Sequence, residues 1–138
     1  MAATEVEVVA TLEEGIVAHL MADSDVTDLI STRLYPMVVP QDVSLPAVAY
    51  QRISGPREPV HEGASGLARA RMQFTCLGST YEEGKDVAEA LRGSMDGFSG
   101  TMGTVAVNAV FLENDVDAWG TVFDKAVVRQ DYMFWYQE

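Results

Sequence analysis

The chain has 138 residues, 48% of them hydrophobic, and its 21 acids against 9 bases give a net charge of −12. That size suits one domain over 1–138 that buries roughly two-thirds of its unfolded surface, while the charge removes the attraction on which phosphate-backbone binding depends. No apolar run reaches the ~20 residues of a membrane span, Glu5 and Glu7 stand where a signal peptide carries bases, and the single cysteine, Cys76, forms neither an intrachain disulfide nor a thiol cluster.

The expected setting is therefore a cytoplasm. Strong acidity serves solubility or a salt-adapted host. It also suits a passage through which DNA slides without sticking.

In chain order, residues 5–21 place Val9, Leu12, Ile16 and Leu20 three and four apart, predicting an amphipathic helix capped by Thr4. Ser24 and Asp25 offer the cap of a short second helix through Ile30. Residues 34–39 predict a strand limited by Pro36 and Pro40. Residues 45–77 predict two strands joined by a long polar loop, 54–66, a length that is uncommon within compact domains. The second arm alternates cleanly. Ala68, Ala70, Met72, Phe74 and Cys76 take one face, while Leu67, Arg69, Arg71, Gln73 and Thr75 take the other.

Thr80, or Ser79, caps the next predicted helix, with Tyr81, Gly84, Ala88, Leu91 and Met95 as its buried stripe. Residues 105–112 predict a strand and 113–120 an acidic loop. The last strand, 125–136, is apolar on both faces near its end. It is either a central strand or one whose outer face meets a partner. The fold class is α+β: an antiparallel or mixed sheet of about four to five strands, helices on one face, and a long hairpin loop.

Motifs for bond-making chemistry are missing from the sequence. Glu113, Asp115, Asp117 and Asp124 lack the offsets of a calcium loop. His19 and His61 have no zinc spacing. Cys76 alternates with core residues, whereas a reactive thiol needs an exposed, electropositive setting. Expected cofactors and metals are therefore none. Arg52, Arg69, Arg71 and Arg129 are expected to share the polar face of the sheet. They pair either across strands with Asp131 or Glu58, or with an acidic neighbouring subunit, or with DNA.

Arg33-Leu34-Tyr35-Pro36, the run from Leu45 to Gly55, the alternating 67–76 strand, the helix after Thr80 and the ending Tyr132-Met133-Phe134-Trp135-Tyr136 resemble small phage tail completion proteins. These are also called tail terminators or head–tail joining proteins. The likeness runs from about Leu12 to the C-terminus and leaves the acidic N-terminal segment without a role.

The resemblance implies a non-enzymatic virion component that caps the tail tube and docks on the head connector or stopper. It further implies a homohexameric ring with a central DNA channel. Such a ring needs head-to-tail interfaces that close. Interface residues are expected among Arg52, Arg57, Glu58, His61, Glu62, Arg69, Arg71 and Trp135. Glu113, Asp115 and Asp117 are expected to line the channel or meet a partner ring. Two rival readings are another neck or tail-tube protein, and a small metal-dependent hydrolase built on the acidic segment.

Overall fold

Two adjacent helices open the described part of the chain, and each starts where a side chain can take up a free backbone N–H. The computed structural model describes residues 11–54, 57–60, 63–120 and 125–137, without the side chains of 57–60, 63–67 and 119–120. Helix α1 spans Leu12–Met21 and is capped by Thr11, not by Thr4 as the sequence suggested. The Thr11 hydroxyl accepts from the Glu14 N–H at 3.1 Å, and the Glu14 carboxylate accepts from the Thr11 N–H at 3.1 Å. This reciprocal Thr-x-x-Glu pair fixes the helix start. Thr4 and Val9 lie outside the described residues. Helix α2, Ser24–Ile30, is capped one residue earlier than expected, by Asp23.

Among the described residues seven strands follow: β1 Leu34–Pro36, β2 Ala47–Ser54, β3 Arg57–Val60, β4 Gly63–Gly78, β5 Gly100–Met102, β6 Val105–Gly120 and β7 Lys125–Gln137. Helix α3, Tyr81–Met95, lies between β4 and β5. The sheet runs β1-β2-β4-β7-β6-β5, with β3 pairing off this path onto β4. Every pairing is antiparallel except β1 with β2, so the sheet is mixed. The α+β class holds. The strand count is higher than the four to five expected, with six strands in the sheet's continuous order.

Two segments read as loops are strands. Most of 54–66 forms a second, outer hairpin, because β3 pairs with the extended start of β4. Residues 113–120 continue β6 along β7. Periodicity missed the second because every described side chain from Glu113 to Ala118 is exposed. A sheet-margin strand without a covered side shows no alternation.

The helices cover one face. Phe74, Met72 and Cys76 of β4, and Val128, Tyr132 and Phe134 of β7, join Ile16, Leu20, Ile30, Val87, Ala88, Leu91 and Met95 in one buried cluster. Burying each large apolar side chain contributes about 1.5–3 kcal/mol. Phe74 and Tyr132 meet edge to face at 5.6 Å. A polar tie runs through this core: the Tyr132 hydroxyl donates to Gln130 Oε1 at 3.0 Å, and Gln130 Nε2 donates to the Ala88 carbonyl at 3.2 Å. His19 Nε2 lies 3.0 Å from the Ser94 carbonyl, and its ring packs edge-on against Phe98, joining α1 to the end of α3.

Tyr81 is not in the buried stripe of α3; it is 55% exposed. Its hydroxyl reaches instead to β6. The last strand, β7, is central, between β4 and β6. Strand β6 slips register against β7 twice, between Val107 and Ala109 and between Leu112 and Asn114. Each extra residue is a β-bulge that exchanges the faces of the residues beyond it.

Candidate functional site

Among the described residues no helix lies on the sheet face away from α1, α2 and α3, and register assigns its side chains row by row. Val116, Arg129 and Thr75 form one row across β6, β7 and β4. Asn114, Asp131 and Gln73 form the next, then Phe111, Met133 and Arg71, then Ala109, Trp135 and Arg69. Phe111 is 50% exposed and Val116 44%, and on β2 Ile53 is 39% exposed. The Phe111 and Trp135 rings meet edge to face at 5.8 Å. Exposed apolar surface interleaved with arginine and tryptophan is the composition of a protein–protein contact rather than of an ordinary wet surface.

At its centre, Asp131 is held from two sides. Arg71 Nη2 donates to Oδ2 at 3.2 Å and Gln73 Nε2 donates to Oδ1 at 3.1 Å. The cross-strand pairing considered for these arginines is therefore made within one chain for Arg71. Arg69 and Arg71 lie on this face, half-buried, and Arg129 is exposed on it.

Arg52 does not share that face. It stands opposite Met72, so it points to the helix side. There its guanidinium pairs with Glu13 of α1 at 3.0 Å and lies 5.9 Å from the centre of the Tyr136 ring. The sequence pattern misassigned it because a polar residue can end an apolar face where the strand runs past the core.

Arg57 and Glu58 lie on β3, where only the backbone is described, and His61 and Glu62 fall outside the described residues. Trp135 is half-buried on the uncovered face. Glu113, Asp115 and Asp117 are exposed on β6, with Glu113 at the second bulge. Asp117 accepts the Tyr81 hydroxyl at 2.8 Å and lies 3.4 Å from Lys85 Nζ. The Asp117 carboxylate raises the Tyr81 phenol pKa by stabilising its protonated form.

Among the described residues, no group of three or more His, Cys, Asp or Glu side chains could hold a metal ion; Asp124 falls outside them. The Cys76 thiol is wholly buried and desolvation pushes its pKa far up, so it is chemically inert in the fold. No described helix is long and apolar enough to cross a membrane. Sequence reasoning missed Phe111 as a surface residue, because its apolar character within 105–112 reads as core unless the first bulge in β6 is known.

Residues 14–136 match the family described as Tail completion protein gp17. The chain belongs to that family. This tail completion protein is therefore a structural protein of a phage-type tail. Its fold also recurs in a solved chain of "Virion of native gene transfer agent (GTA) particle", with a TM-score of 0.78. The two are 14% identical, and the match covers 92% of this chain and 95% of that one. At such identity the likeness carries the fold. No curated protein matches the chain.

Proposed function

We propose that this tail completion protein caps the end of the tail tube and joins it to the head connector, forming a ring around the DNA channel. Membership of the tail completion family across residues 14–136 is the observation that carries this reading. The shared fold with a chain of a gene transfer agent virion supports placement in a phage-like particle. A ring is favoured by the uncovered, partly apolar sheet face and by the outer hairpin of β3 and β4, since a closed assembly needs surfaces that contact other copies.

The acids Glu113, Asp115 and Asp117, exposed on one long strand, would face the channel or the adjoining ring. Along with the net charge of −12, they would keep DNA from sticking as it passes. Interface roles for Arg57, Glu58, His61 and Glu62 belong to the same reading, as do those for Arg52, Arg69, Arg71 and Trp135. The activity is mechanical: stopping tube growth and presenting a docking surface.

The test is electron microscopy of particles made without this chain. Overlong or headless tails beside full heads support the reading. Tails of normal length attached to heads overturn it. Purified chain that grows unaided into long tubes assigns it to the tube instead.

A further inference from the structure

The two faces of this chain carry opposite charge. Three of its nine bases, Arg69, Arg71 and Arg129, fall on the uncovered part of this sheet face by register, beside the apolar Phe111 and Trp135, while Lys125 lines a cleft with Val39 and Val43. Among the described side chains, the acids there are Asp131, already engaged by Arg71, and Glu113 at the bulge, and Arg69 has a partner of its own. Arg129 is exposed and has no ion-pair partner among the described residues. That is an unusual concentration for a chain of net charge −12.

The helix layer is the reverse. Gly84, Ala88, Leu91 and Met95 of α3 face the core, so Glu82, Asp86 and Glu89 form an exposed ridge on the opposite side. The spacing of this ridge sets like charges four and three residues apart, an arrangement that disfavours the helix unless something positive lies over it. The nearby bases are committed elsewhere: Lys85 to Asp117 and Arg92 to Asp96. Asp28, exposed on α2, adds to the same side of the molecule.

We infer that the uncovered sheet face of one copy docks on the α3 ridge of the next. The contact is head-to-tail: Arg129 and its neighbours meet Glu82, Asp86 and Glu89, and the Phe111–Trp135 pair is desolvated at its centre. A second copy is the fitting occupant because this chain itself supplies the complementary acids. Nucleic acid would meet the basic face only against the repulsion of the whole molecule. Two different faces in contact form a heterologous interface, which either closes into a ring or extends. The inference deepens the ring reading above and rests on it for closure.

The test uses two charge reversals of exposed residues, Arg129→Glu and the double variant Asp86→Arg/Glu89→Arg, with mass followed by sedimentation. Each variant alone should self-associate at least about tenfold more weakly than wild type, through like-charge repulsion. An equimolar mixture should recover wild-type assembly, because each altered face then meets its complement. Circular dichroism checks each fold. A variant that fails it is replaced by Arg129→Ala or Asp86→Asn/Glu89→Gln, which must weaken association in the same direction.

Unchanged association of both variants, or a mixture that fails to recover, overturns this contact while leaving the ring reading intact. Wild-type chain that stays monomeric at millimolar concentration overturns both. A duplex DNA fragment bound by wild type and released by Arg129→Glu overturns the contact and gives the face to nucleic acid.

Discussion

Arg71 and Asp131 meet diagonally across β4 and β7, with Nη2 and Oδ2 3.2 Å apart, and Asp131 is only 7% exposed. A nearly buried carboxylate needs both oxygens satisfied, and here Gln73 holds the second. Arg71→Ala should cost about 1–2 kcal/mol, reduced from the full charged-pair value because the arginine itself reaches solvent. Arg71→Ala/Asp131→Ala should cost less than Arg71→Ala and Asp131→Ala added together. Urea unfolding of the three variants checks both statements.

Gly15→Ala should destabilise the fold, although alanine is the better helix former by about 1 kcal/mol. A Cβ at this position would stand 2.6 Å from the Met102 carbonyl oxygen, a backbone atom that cannot swing aside. Strand β5 or helix α1 must then shift, at a cost of about 1–3 kcal/mol. A melting temperature equal to or above that of wild type would contradict the close approach of α1 to β5.

Gln130→Leu should cost about 2 kcal/mol by leaving the buried Tyr132 hydroxyl without its acceptor. Adding Tyr132→Phe should return part of that loss, because the stranded polar atom is then gone. The interaction energy from the four-protein cycle is the measurement, and simple additivity would show that the two side chains act independently.

Stability should fall as pH rises past the ordinary thiol value near 9.0. Burial keeps Cys76 protonated in the folded chain, whereas the unfolded chain loses that proton. Above that pH the folded state therefore binds more protons, and stability decreases with each further increase. Below it Cys76 contributes no pH dependence. Cys76→Ala should remove about one proton's worth of slope between pH 9 and 11, and native protein should resist thiol reagents.

Much of this architecture was legible where one side of an element is wet and the other dry. The 67–77 alternation and the α3 stripe both rest on that contrast, and both elements formed as read, apart from Tyr81. Tyr81 has the right spacing, but it stands on the first turn of α3, where its hydroxyl finds Asp117 on a distant strand. Residues 113–118 gave no signal because both sides are wet. Arg52 was assigned to the wrong face because its partner, Glu13, lies 39 positions away. The surface at Phe111 was hidden for a different reason. Its neighbours Val107 and Val110 are core residues.

The two bulges in β6 account for that surface. Continuing the Val105–Val107 alternation without a slip would turn Phe111 toward the helices. Without the second slip, Val116 would go inward and Asp117 would lose its place beneath Lys85. Deleting Asn108 should thus straighten the strand yet leave Phe111 opposite Met133, whereas a chain that kept Asn108 in regular alternation would recess the ring. The two extra residues, Asn108 and Glu113, therefore decide what this molecule shows its neighbours, and a change that drew either into regular pairing would exchange the faces beyond it.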